Sequence, residues 1–363
     1  MLSESSAVVR PLLVFFLSAM TLSIANGDES VSLDWVVTAT GTDASLRGLS
    51  AVDDRVVWAS GSNATVIRTR DGGKTWTPCG PKGFGDLEFR CVHALEEDVA
   101  CIASAGSPAV LLRTDDGGAS WEETYRASSP SAFFDAMRFW DSKRGIAISD
   151  PVDGKLLVVE TSDGGQTWKR LTNELPRSRP GEAAFAASNS SLHVGEQGQL
   201  WFGTGGSESE TSRLYLRSAW DAKWTTVSVP IPSSQASGIF SVGTVPTSIA
   251  GEESNTLVLV GGDYRASETS DVTACISHDR GVTWRTVKTQ PAAFRSAVIA
   301  IPQGGPFPSG LITVGPFGTD FSRDADEWES LTQTGFHALA VGQTQVFASG
   351  SEGRFGRLIV VGD

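Results

Sequence analysis

Arg47, Arg90, Asp135, Arg295 and His337 each stand second in a pair that opens a short apolar run. The pairs are Leu46-Arg47, Phe89-Arg90, Phe134-Asp135, Ala236-Ser237, Phe294-Arg295 and Phe336-His337. If those runs are equivalent elements set around one axis, the second members form a ring at one level. Guanidinium forks match carboxylates and phosphates, so such a ring is a candidate site for an anion or an acidic peptide. Asp150, Asp263 and Glu352 fall where neighbouring turns would make its rim. An internal salt-bridge network uses the same residue types, and the types alone leave both uses open.

Other chemistry is thinly represented. Cys91 and Cys101 lie on two runs joined by Glu96-Glu97-Asp98 and could meet across a hairpin; Cys79 with Cys91 is a second pairing. Export would permit either bridge, while buried free thiols, Cys275 among them, fit equally well. There is no CxxC motif and no Cys/His cluster, and His93, His193, His278 and His337 are isolated, so no metal is expected. No GxGxxG follows a strand and there is no CxxCH, so no cofactor is expected either. The net charge of −13 argues against nucleic acid or an anionic membrane as partner.

What must position the ring is a repeat reading Ser/Thr, x, Asp, x, Gly, x, Ser/Thr, Trp, known as an Asp box. Thr69 to Trp76 carries Asp71; Thr114 to Trp121 carries Asp116; Thr161 to Trp168 carries Asp163; Ser277 to Trp284 carries Asp279. Worn copies occupy Ser218 to Trp224 and Ser322 to Trp328. The motif is structural chemistry. Asp folds its carboxylate onto backbone N–H groups of its own turn, glycine accepts a positive φ, and Trp76, Trp121, Trp168 and Trp284 each bury a ring between sheets. A calcium loop would need further regularly spaced carboxylates, which are missing.

Trp35, Trp76, Trp121, Trp168, Trp224, Trp284 and Trp328 recur 41 to 60 residues apart, the period of a four-stranded propeller blade. The expected fold is therefore all-β: one seven-bladed β-propeller over residues 26–363, with no helix beyond about two turns. After Trp328 three more strands follow without a fourth, so Leu33 to Val37 should close the last blade and remove an exposed edge. Gly203 to Thr211 and Tyr264 to Asp271 read as exposed loops within blades 4 and 5. Residues 1–25 read as a signal peptide: Arg10, an apolar run from Leu12 to Ile24, and small Ser23 and Ala25 at the cleavage site. Export to the periplasm or outside the cell, without membrane insertion after cleavage, is expected, with the mature chain a monomer.

Asp boxes on a propeller occur in sialidases, in sortilin-like receptors and in the photosystem II assembly and stability factor family. With its full Thr69-to-Trp76 type boxes and Gly-rich strand endings such as Ala59-Ser60-Gly61-Ser62, this chain resembles the last over about residues 30 to 363. The resemblance implies a non-catalytic binding or assembly scaffold with a protein or anionic ligand. A sialidase-like hydrolase is the alternative. It would need an arginine triad and a Tyr–Glu nucleophile pair; here the tyrosines are only Tyr125, Tyr215 and Tyr264, with Glu268 close to the last. Some exported relatives carry an oxidoreductase label, for which no residue here speaks.

Overall fold

The computed structural model describes residues 32–172, 175–250, 255–266 and 271–361. The expected leader lies outside them. The described strands form seven four-stranded antiparallel sheets, each running in chain order from an inner to an outer strand. Blades 1 to 6 cover residues 46–78, 88–126, 134–170, 192–229, 237–286 and 297–332. Blade 7 takes three strands from 338–361 and its outermost from Ser32–Ala39, with Trp35 opposite Leu358. The ring closes where Leu46 N–H donates to Gly350 O at 3.0 Å and the Thr344 hydroxyl to Asp54 at 2.7 Å. The helical content described is one turn, Thr247–Ala250, and a 3-10 turn, Glu196–Gly198.

The strand sequences explain the layering. Second strands such as Val57–Gly61 and Ala100–Ala105 are buried throughout because both faces meet neighbouring blades. Outer strands such as Thr77–Pro78, Lys169–Arg170 and Arg285–Thr286 are short, polar and exposed. Apolar clusters therefore lie between blades. One joins Ala103 and Leu111 of blade 2 to Phe134, Met137 and Trp168 of blade 3.

The repeated turn is stapled as its chemistry requires. Thr75 donates to Asp71 through its N–H at 2.9 Å and its hydroxyl at 2.6 Å, and Gly73 N–H donates to the Thr69 hydroxyl at 3.0 Å. Asp116, Asp163 and Asp279 make the same two contacts with Ser120, Thr167 and Thr283. The glycine has a second duty besides its φ of 85–89°: its bare face lies against the preceding blade. A Cβ on Gly118 would stand 2.6 Å from Cys79 Cβ, and one on Gly165 2.5 Å from Cys101 Sγ. The turns thus dock blade to blade.

One expectation changes and one open alternative is resolved. Gly203 to Ser207 is mostly buried rather than an exposed loop: Thr204 donates to Glu182 at 2.7 Å, and Gly205 pairs with Ala183 and Gly238. The cysteines are all buried free thiols. Strand register explains why Cys91 and Cys101 do not meet. Cys91 faces Ala103 and Cys101 faces His93, which leaves the two diagonal, roughly 7–8 Å apart and beyond disulfide reach. Burial pushes the Cys79, Cys101 and Cys275 thiols up to about 12.

Candidate functional site

The inner strands carry a shared irregularity that aims side chains at the axis. In blades 1, 2, 3 and 5 two inner-strand residues oppose one on the next strand. The extra residue is Arg47 between Leu46 and Gly48, Arg90 between Phe89 and Cys91, Asp135 between Phe134 and Ala136, and Phe240 between Ile239 and Ser241. A β-bulge leaves its extra residue unpaired and re-aims its side chain. Asp150 is likewise the extra residue between Ser149 and Pro151. In blades 1 to 3 the extra residues are the expected Arg47, Arg90 and Asp135; Arg47 and Arg90 line the cavity described below, and Asp135 does not. In blade 5 the ring residue is Phe240, not Ser237, which is buried and donates to Pro232 O at 2.6 Å. Only the bulge, invisible in the strand pattern, moves the equivalence by three residues.

Blade 4 contributes no ring residue because its inner strand is cut to Leu192–Val194 and the chain before it crosses the channel. Asn189, at φ 59°, donates from Nδ2 to Val92 O of blade 2 at 3.1 Å and accepts from Met137 N–H of blade 3 at 2.8 Å. The Ser188 hydroxyl donates to Ser296 O beside blade 6 at 2.7 Å, and the Ser190 hydroxyl reaches Ser241 of blade 5 at 2.8 Å. One segment thus bonds to inner strands on both sides of the axis. Its residues from Ala186 to Ser191 are buried. The motif scan missed this plug, although the run of small polar residues Ser188-Asn189-Ser190-Ser191 is its signal.

Above the plug lies a cavity of about 400 Å³, whose lining includes Ala184 to Ala187. Its cationic side comes from blades 1 and 2, with His337 of blade 7 beside them. Arg47 lines it half-buried, and no hydrogen bond or ion pair holds its guanidinium among the described residues. Desolvation, then the neighbouring Arg90 charge, lowers Arg47 to about 10, still protonated at neutral pH. Arg90 donates to Glu88 at 2.6 Å and lies over the Phe133 ring. His337 contacts the Ser351 hydroxyl at 2.9 Å; burial, then Arg47, lowers it to about 3, so its imidazole is neutral. The facing side is aromatic: Phe185 stacks on Phe240 at 4.1 Å, Phe294 meets Phe240 edge-on at 4.6 Å, and Tyr264 stands 41% exposed.

Asp135 and Asp150 form a carboxyl pair beside Arg90. Asp135 is fully buried, and neither oxygen has a hydrogen-bond partner of good geometry. The Asp150 carboxyl and N–H face it. A buried carboxyl without donors is neutral, because ionising it forfeits hydration with nothing in return. Desolvation, reinforced by the Asp150 charge, accordingly drives Asp135 well above the carboxylate range. Asp150, which lines the cavity and accepts Ala184 N–H at 2.8 Å, is raised by desolvation to about 6.

The remaining expected residues lie elsewhere. Arg295 is 1% exposed and turns away into its own blade, where Nε and the Asp320 carboxylate make a very short ion pair and NH1 donates to Phe294 O at 3.0 Å. Asp263 is half-buried and accepts Arg265 N–H at 2.8 Å, and Glu352 is exposed in a turn of blade 7; neither lines the cavity. Glu268 lies outside the described residues. A different Tyr–Glu pair exists, Tyr215 with Glu182 at 3.2 Å, but both are buried and neither lines the cavity. Desolvation, then the Glu182 charge, raises the Tyr215 phenol to about 12, the reverse of nucleophile activation. Among the described residues no cluster of His, Cys, Asp and Glu could hold a metal, and no helix is long and apolar enough to cross a membrane.

Comparison with known proteins agrees with the resemblance read from the repeats. Residues 28–130 match the family model described as photosynthesis system II assembly factor YCF48. No curated protein matches the chain. Among solved structures it is similar to YCF48 bound to a D1 peptide, at 18% identity and TM-score 0.62 over 91% of this chain and 97% of that one. It is also similar to YCF48 from Cyanidioschyzon merolae, at 16% and 0.61 over 89% and 98%. The WD40 β-propeller domain of Doa1 follows at 14% and 0.52 over 90% and 97%. At these identities the likeness shows the propeller fold.

Proposed function

We propose that this chain is a non-catalytic binding propeller of the assembly-factor kind, which holds an acidic segment of a partner protein in the cavity above the plug. The observation that carries the reading is Arg47: a guanidinium lining a cavity with no hydrogen bond or ion pair among the described residues. Desolvating a charge is costly unless something pairs with it, and an anionic ligand supplies that pairing. The plug closes the channel floor, so the site admits side chains from one mouth and does not thread a chain. Peptide binding by a YCF48 of the same fold supports the reading. The leader-like residues 1–25 support export as its setting.

The test is titration of N-acetyl tetraglutamate into the protein and its Arg47→Ala and Arg90→Ala variants, with melting curves for each. The expected outcome is binding that weakens at least about tenfold in Arg47→Ala while the melting curve is unchanged. Equal binding by wild type and both variants would overturn the reading. The hydrolase alternative is tested separately by fluorophore release from a sialic-acid glycoside, with no release expected.

A further inference from the structure

The cavity has two chemically different sides, and the anion reading uses only one. Arg47 and Arg90 come from blades 1 and 2, whereas Phe240 and Tyr264 come from blade 5 and Phe294 opens blade 6. In a seven-bladed ring these groups face each other across the axis. On the aromatic side Phe240 and Phe294 are 2% exposed, and the open face is Tyr264 with half-buried Phe185. Tyr264 is 41% exposed, packs edge-on against Phe185 and Phe240 at 6.3 Å, and its hydroxyl makes no hydrogen bond among the described residues. A cavity of about 400 Å³ lies in the size range that encloses a small ligand unit rather than a surface.

Resting on the anion reading above, we propose that the cavity recognises an acidic residue directly followed or preceded by an aromatic one in an extended partner segment. Successive side chains of an extended chain point to opposite sides. A segment lying across the mouth therefore sends one side chain to Arg47 and its neighbour to the facing rings. The aromatic side chain completes an edge-to-face cluster that Phe185, Phe240 and Tyr264 already begin. A ligand of charge alone would leave Tyr264 and the open face of Phe185 in contact with water. A ligand of rings alone would leave Arg47 unpaired. The plug sets the depth: with Ala186 and Ala187 in the lining, each side chain enters until it meets the floor.

Three acetylated and amidated hexapeptides test this: Gly-Ser-Asp-Phe-Ser-Gly, the same with Ala for Phe, and the same with Asn for Asp. Each is titrated into wild type, Arg47→Ala and Tyr264→Ala, variants of a half-buried and an exposed residue chosen so that folding survives. The expected result is that the Asp-Phe peptide binds about tenfold tighter than either relative, and that Tyr264→Ala erodes the Phe preference while leaving the Asp preference. Equal affinity for the Asp-Phe and Asp-Ala peptides, with both lost in Arg47→Ala, overturns the pairing and leaves the anion site standing. A Phe preference undiminished in Tyr264→Ala also overturns it. No binding of any peptide, together with no binding of tetraglutamate, removes the anion reading as well.

Discussion

Arg47 and Arg295 begin from the same position, second in an apolar–arginine pair at the start of an inner strand, and end in opposite roles. Arg295 is sealed in blade 6 against Asp320 of the third strand, which is itself 1% exposed. Arg47 is bulged out of blade 1 into the cavity, where no carboxylate among the described residues hydrogen-bonds or ion-pairs with it, although the Glu88 charge reaches it. The difference lies in the neighbouring strands: blade 6 supplies a carboxylate within its own sheet, whereas blade 1 supplies Gly61 and Ser60 opposite the bulge. An arginine's role is set by whether its own blade neutralises it. Of the expected alternatives, the internal salt bridge describes Arg295, and the ligand site is what we propose for Arg47.

The sharpest way to break this comparison is to remove each arginine. Arg295→Ala leaves Asp320 buried and unpaired and should cost about 3–5 kcal/mol of stability in denaturant unfolding. Arg295→Met combined with Asp320→Leu should recover most of that loss, since no charge is then stranded. Arg47→Ala should leave the melting curve within about 0.5 kcal/mol of wild type while losing tetraglutamate binding. A large stability loss in Arg47→Ala would make both arginines structural.

Turn aspartates offer a middle-sized control that touches neither arginine. Asp163→Ala removes the bonds to the Thr167 hydroxyl and N–H and should cost about 1–2 kcal/mol by thermal melting with peptide binding intact. Loss of binding at full stability would contradict the structural role. Acid should reproduce the effect. The Thr75 hydroxyl and N–H hold Asp71 near 2, and those of Ser120 hold Asp116 near 2. A depressed folded-state pKa means stability present above the ordinary carboxylate value and lost as pH falls from about 4 towards 2.

The smallest effect concerns Asp150, the one acid among the described residues that lines the cavity. The charged or titratable groups facing it are Asp135, Arg90 with its partner Glu88, Arg47 and His337. Burial drives Asp135 well above the carboxylate range, and His337 stays neutral above about 3. As pH falls from 7 to 5, Asp150 takes up a proton near 6 and a negative charge beside the arginines disappears. Tetraglutamate affinity should rise, by less than the tenfold per pH unit that one proton allows. Stability should move in the same direction. A raised folded-state pKa means the folded protein binds the extra proton between about 4 and 6, so stability falls as pH rises through that window. Asp150→Asn should flatten both profiles, and a wild-type affinity that is pH-independent between 5 and 7 would show that Asp150 does not face the ligand.

By itself, the sequence determined the blade count, the stapled turns and the closure by Ser32–Ala39. Each follows from a local signal repeated at a fixed period: an Asp two residues after Ser/Thr binds its own turn whatever surrounds it, and a blade lacking its outer strand must borrow one. It also placed Arg47, Arg90 and Asp135 at one level, because their bulges keep one register. Three features belonged to the tertiary structure alone. Phe240 replaced Ser237 because a bulge shifts equivalence without altering the apolar pattern. Residues 186–191 form the plug because their hydrogen bonds go to blades 2, 3, 5 and 6, far apart in sequence. Arg295 joined the core because Asp320, 25 residues later, meets it inside the same sheet. Desolvation and pairing depend on which groups arrive from distant segments, so neighbouring residue types do not encode whether a charge is buried with a partner or left facing a cavity.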